Sequence, residues 1–157
     1  MRTGVRLGVD VGKVRIGVAR SDLHGMLATP VETVQRDVAG GGADIARLVA
    51  LRDELEAFEV IVGLPLAMSG GHTASTADAL GFARALQAAV DVPVRMVDER
   101  LSTVSAQSAL RSSGRGSRTQ RPVIDQVAAV IIVQHALDSE RGTGQPPGTV
   151  VSSVEGS

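Results

Sequence analysis

In the stretch Val5-Arg6-Leu7-Gly8-Val9-Asp10-Val11-Gly12-Lys13-Val14-Arg15-Ile16-Gly17-Val18-Ala19, apolar residues recur at every second position. Val5, Leu7, Val9 and Val11 fall on one side and Arg6, Gly8, Asp10 and Gly12 on the other, the pattern of a strand with one face in a core. Gly12-Lys13 separates this strand from the run Val14 to Ala19, so the pair reads as a hairpin. Leu27 to Val34 continues it as a third antiparallel strand. Asp10 therefore stands on the side of strand one away from its apolar set, close to a glycine through which another backbone or a phosphate can approach.

Beyond the hairpin the pattern changes to alternating strand and helix. After a glycine-rich break at Ala39 to Gly42, apolar residues at helical spacing predict a helix over Asp44 to Phe58. Glu59 to Leu64 reads as a buried parallel strand, Thr73 to Val90 as an alanine-rich helix, and Val92 to Val97 as a second parallel strand. A helix is expected over Ser102 to Arg111, a Gly/Ser/Arg-rich loop over Ser112 to Arg121, and a long last helix from Pro122 to about Leu137. The expectation is an α/β fold with a mixed five-stranded sheet, three antiparallel strands then two parallel ones, flanked by helices. This order of elements is the ribonuclease H-like pattern. Residues 1–141 are expected to form one domain and 142–157 a flexible Gly/Pro/Ser-rich tail.

Composition narrows the function classes. The 157 residues contain no cysteine, which excludes disulfides, thiolate nucleophiles and cysteine-held zinc, and fits a reducing, cytoplasmic setting. The longest apolar runs fall far short of the roughly 18 residues of a bilayer span, so no membrane partner is expected. Sixteen basic residues against seventeen acidic ones leave a net charge of -1, which excludes a uniformly basic coat protein. All but one of those cations are arginine, Lys13 being the exception. With two Phe and neither Trp nor Tyr, the chain has no aromatic ladder for stacking bases.

Three acids stand out by position. Asp10 lies near the end of a strand; Asp98-Glu99-Arg100 sits where another strand runs out, the place where ligands collect in open α/β sheets. Asp125 shares a helical face with Ala128, Ala129 and Ile132, so its carboxylate points into packing rather than solvent. Taken singly, each also has an ordinary structural explanation as a turn, cap or helix-dipole residue. Jointly, three carboxylates from separate elements call for a cation, and oxygen ligands without cysteine point to Mg2+ or Mn2+. Between Glu99 and Asp125 there is no acid, while Arg100, Arg111, Arg115, Arg118 and Arg121 supply positive charge suited to a phosphate backbone. Lys13 and Arg15 extend this set of nucleic-acid contacts. Gly63-Leu64-Pro65 with Gly70-Gly71 reads as a loop whose amides could hold a phosphate. His24, His72 and His135 are scattered and carry no assigned role.

As a set, Asp10-Val11-Gly12 with Arg15-Ile16-Gly17-Val18-Ala19, Ile61-Val62-Gly63-Leu64-Pro65, Asp98-Glu99-Arg100-Leu101-Ser102-Thr103 and Ile124-Asp125-Gln126-Val127-Ala128-Ala129 resemble the YqgF family, also called RuvX. The likeness runs from about Val5 to Leu137. It departs at Val14, where a polar or basic residue is frequent. The resemblance implies a ribonuclease H-like nuclease of the bacterial cytoplasm, a hydrolase that cleaves phosphodiesters with divalent metal at Asp10, Glu99 and Asp125, Asp98 being an alternative ligand. It implies structured RNA as substrate, in 5′-end processing of pre-16S rRNA during ribosome biogenesis. The alternatives are a Holliday junction resolvase cutting four-way DNA as a homodimer, and a module that binds nucleic acid without cutting. An ATP-clamping, actin-like reading is opposed by length, since one domain cannot supply two lobes.

Overall fold

The computed structural model describes residues 1–37, 39–101 and 121–151. Six strands form one sheet in the order β3-β2-β1-β4-β5-β6: β1 Arg6–Val11, β2 Arg15–Ser21, β3 Ala28–Gln35, β4 Glu59–Leu64, β5 Val94–Asp98 and β6 Thr149–Val150. The expected meander is present, β1 to β2 to β3 antiparallel, and β1, β4 and β5 run parallel. Among the described residues the helices are α1 Ala43–Leu55, α2 Ala74–Ala89 and α3 Arg121–Thr143, and a 3-10 turn, Glu99–Leu101, follows β5. The helix expected at Ser102 to Arg111 and most of the arginine loop fall outside the described residues. Among the described residues no helix is long and apolar enough to cross a membrane.

Strand alternation divides the core in two. Leu7 and Val9 of β1, Val60 and Val62 of β4, and Val94 and Met96 of β5 meet Leu48 and Leu51 of α1 and Leu80, Phe82 and Leu86 of α2. The intervening residues face α3: Ile61 and Val97 pack on Ala128, Ile132 and Ala136, while Ala19 packs on Ala129, Val133 and Leu137. The alanines of α3 permit this contact, because small side chains let a helix lie low on a sheet. At the outer edge, β3 carries Pro30, which has no N–H to offer a neighbour, and its pairing with β2 shifts register between Val18 and Ala19.

Three expectations change. The sheet has six strands rather than five, because the Gly/Pro/Ser-rich segment expected to be flexible from 142 onward contributes one. There Gly148 turns in the left-handed region at φ 64, Thr149 pairs with Met96 and Val150 with Arg95, and Val151 is buried in the main core. Composition hid this strand, because so short a backbone pairing needs no long apolar run. The last helix also extends beyond Leu137 to Thr143, since Glu140 is held by an ion network rather than exposed. In the opposite direction, α1 ends at Leu55 instead of Phe58. Glu56 takes a left-handed conformation that stops the helix, and the Phe58 ring lies 4.9 Å beneath the guanidinium carbons of both Arg2 and Arg6.

That network closes one end of the α3 face. Glu140 accepts from Arg2 at 2.8 Å and from Arg6 at 3.3 Å, and the fully buried Glu59 accepts from Arg2 at 3.0 Å and Arg95 at 2.7 Å. The Arg2 guanidinium holds the Glu140 carboxyl down at about 2, well below its ordinary 4.5. A carboxyl depressed in the folded state contributes stability that is present above the ordinary range and lost as pH falls from about 4.5 to about 2. Glu140→Gln is therefore expected to cost about 3 kcal/mol at pH 7, where it strands buried guanidinium charge, and progressively less toward pH 2. Urea unfolding of both proteins between pH 7 and pH 2.5 measures the gap; a gap independent of pH would contradict the assignment.

Candidate active site

The parallel strands β1, β4 and β5 end at the same edge of the sheet, and α3 enters above that edge. Asp10 is the penultimate residue of β1 and is only 7% exposed. It lies opposite Gly17 in the β1–β2 ladder, on the side that faces α3. A methyl group on Gly17 would run into the main-chain carbonyl of Asp125 and the amide of Gln126. The first turns of α3 thus rest directly on the position paired with Asp10, and Asp125 is buried there, 6% exposed. A residue with any side chain at 17 would hold the helix off and carry Asp125 away.

Glu99 arrives from the other side. Gly63, on β4, is where a side chain would collide with Glu99 Oε1 and Ile132 Cδ1, so the glycine leaves the space in which the Glu99 carboxylate sits. Val94 and Met96 of β5 point to the α1–α2 core and Val97 to the α3 side. Continuing the alternation sends Asp98 with the former and Glu99 with the latter. Asp98, the alternative ligand, is instead gripped by its neighbour: Arg100 donates to it from Nε at 3.1 Å, from Nη2 at 2.7 Å and from its own amide at 2.9 Å. Those bonds hold the Asp98 carboxyl below the usual carboxylate range.

The remaining residues separate into three groups. Arg15, the first residue of β2, donates from Nε to Asp125 Oδ2 at 3.0 Å, an ion pair buried more deeply on the carboxylate side. Lys13 is exposed in the β1–β2 turn. Arg100 is committed to Asp98 and to the carbonyl of Met68, and thereby ties the loop after β4 to the end of β5. Arg111, Arg115 and Arg118 fall outside the described residues, and Arg121 is described only as the start of α3. The loop expected to cradle a phosphate with its amides closes on itself: Gly70 N–H donates to Ala67, Ala67 N–H to Gly71, and Gly71 N–H to Ser69 Oγ. One contributor carries no signal in the sequence. Arg36 donates to the carbonyl of Gly12 at 2.8 Å while paired with Asp78 at 3.0 Å, bracing the turn beside Asp10 against α2. No local pattern marks it, because its partners are 24 and 42 residues away.

Asp10, Glu99 and Asp125 thus come from three elements to one end of one face. Among the described residues no group of three His, Asp or Glu side chains is gathered into a coordination shell. The chemistry of the donors nonetheless suits a hard divalent ion, being carboxylate oxygen throughout, and the guanidinium of Arg15 already stands against one of them, Asp125.

A mixed sheet of this order with a helix laid over its carboxylate-bearing edge is a ribonuclease H-like fold. It is shared with RuvC of T. thermophilus in complex with a Holliday junction substrate, a solved structure 19% identical, with a TM-score of 0.56 over 89% of this chain and 97% of that one. The RuvX family model, described as Holliday junction resolvase, matches residues 4–139. The chain belongs to the RuvX family. A relative from Clavibacter michiganensis subsp. michiganensis is 68% identical over 96% of this chain and 93% of its own length. One from Nocardioides sp. is 53% identical over 98% of this chain and the whole of its own. Both carry the name "Putative pre-16S rRNA nuclease".

The two glycines make different demands, since backbone blocks a side chain at 17 and flexible side-chain ends block one at 63. Gly17→Ala is expected to cost about 1–3 kcal/mol by lifting α3, and Gly63→Ala less than half of that. Chemical denaturation of the two variants checks the order, and equal losses would count against the close approach at Gly17.

Proposed function

We propose that this chain is a nuclease that hydrolyses phosphodiester bonds in the 5′-end processing of pre-16S rRNA, with Asp10, Glu99 and Asp125 holding a divalent metal ion, Mg2+ or Mn2+. The observation that carries the reading is the convergence of these three carboxylates from β1, the turn after β5 and α3 onto one end of one sheet face. The RNA substrate rests on the names borne by relatives up to 68% identical.

When bound, the metal would supply Lewis-acid activation of a water and charge neutralisation at the scissile phosphate. The protein's own residues have separate tasks. Asp10 is fixed by the sheet, Asp125 by the low seat of α3, and Glu99, on the short turn directly after β5, by the room left at Gly63. Each would act as an oxygen donor rather than a proton shuttle. Arg100 keeps Asp98 out of the site and holds the neighbouring loop to the strand end. Lys13 and the arginines at 111, 115, 118 and 121 would neutralise phosphates flanking the bond to be cut, without reading bases. The work belongs in the bacterial cytoplasm, where the precursor is made.

Cleavage of a pre-16S 5′ leader and of a synthetic four-way DNA junction, under one Mg2+ and salt condition, tests the substrate. The leader is expected to be cut faster; preference for the junction would favour a resolvase acting as a two-fold dimer. In the same assay Asp10→Asn and Glu99→Gln should lose at least about a hundredfold in rate with unchanged melting and RNA binding, whereas Asp98→Asn should stay within a few-fold of wild type. If Asp98→Asn and Glu99→Gln trade places, the assignment of Glu99 fails.

A further inference from the structure

We infer that the Arg15 guanidinium is a built-in placeholder for the metal ion, neutralising Asp125 when no ion is bound and yielding that carboxylate when one arrives. The inference rests on the reading that Asp125 is a metal ligand, and extends it to a residue that otherwise counts only as a phosphate contact. Asp125 is almost enclosed, and a buried carboxylate near Asp10 and Glu99 costs free energy unless a cation is close. Arg15 supplies that cation from the first residue of β2, across the turn from Asp10.

The two arginines at this end of the sheet differ in how firmly they hold. Arg100 clasps Asp98 with Nε, Nη2 and its main-chain amide, from two residues away. Arg15 meets Asp125 through Nε alone, at 3.0 Å; the two guanidinium side chains are about equally open to solvent, 24% for Arg15 and 29% for Arg100, so the difference lies in the number of bonds. A guanidinium and a divalent ion cannot both lie against the same carboxylate without mutual repulsion. The cation held by a single bond is the one that gives way. Asp98 is thereby withheld from the metal, whereas Asp125 is lent to Arg15.

Titration calorimetry with MnCl2 alone, without nucleic acid, on the full chain and its Arg15→Gln, Arg15→Lys and Asp125→Asn variants tests the inference. Removing the competitor should tighten Mn2+ binding by about two- to fivefold in Arg15→Gln, the range of a partly exposed ion pair. Arg15→Lys, which keeps the charge but not the Nε–H, should fall between that variant and wild type; it carries the test if Arg15→Gln does not fold. The rise in melting temperature on adding Mn2+ should also be larger in Arg15→Gln. A residue that merely oriented Asp125 would give weaker binding when removed, and unchanged or weaker affinity in Arg15→Gln overturns the proposal. The underlying reading fails separately: if neither wild type nor Arg15→Gln binds Mn2+, or if Asp125→Asn binds it as wild type does, Asp125 is not a ligand and both ideas fall. Loss of binding in Asp125→Asn with no gain in Arg15→Gln removes the placeholder role alone.

Discussion

The main-chain carbonyl of Asp125 occupies the volume that a side chain at position 17 would need, and this contact sets how low the last helix lies on the sheet. A helix that rides on side chains ordinarily stands about 10 Å from its neighbour. Here glycine below and alanines above bring backbone to backbone. The low seat carries a carboxylate into the sheet edge without a long side chain to reach it, so Asp, the shortest acid, suffices at 125. Volume rather than hydrogen bonding is the governing constraint, and volume at these positions tolerates little adjustment.

The same face has two ends with opposite treatment of charge. Arg6, Glu59 and Arg95 stand at or beside the start of the parallel strands; four residues further along each lie Asp10, Gly63 and Glu99. An even spacing returns each pair to the same side of the sheet. At the first end, arginine and glutamate side chains satisfy one another around Glu140 and Glu59. At the second stand Asp10, Glu99 and Asp125, with Arg15 paired to Asp125. The apolar stripe of α3, from Ala128 to Leu137, separates the two. One end is closed with complementary charge and serves the fold; the other brings together carboxylates from three elements, oxygen donors suited to a hard cation.

Much of this was legible in the sequence because it is written at short range. Period-two alternation in Val5 to Val11 places Asp10 opposite the apolar set, and helical spacing puts Asp125 with Ala128, Ala129 and Ile132; both are properties of a single element. Which of Asp98 and Glu99 turns toward α3 was not legible, since adjacent residues swap faces with a one-residue change in where a strand ends. It becomes readable only from Val97 and Gly63, whose neighbours lie on other elements. The pairing of Arg15 with Asp125 joins positions 110 residues apart, and composition presented Arg15 simply as one more cation. The closed turn at 67 to 71 shows the reverse error: glycines that looked available to an anion use their amides within the turn, Gly70 on the carbonyl of Ala67 and Gly71 on Ser69 Oγ.

The short strand Thr149–Val150 is easily overlooked, yet it lies along what would otherwise be the free margin of β5, the strand that delivers Glu99. Its neighbour Val151 also plugs the larger core. Trimming the chain after α3, on the ground that the last segment is compositionally simple, would bare a row of main-chain donors and acceptors and open a hole beside them. The opposite margin, at β3, is already blunted by Pro30. A shortened protein would thus gain one adhesive border, and self-association through it would begin at Arg95 and Met96, beside the buried Glu59 that Arg95 neutralises.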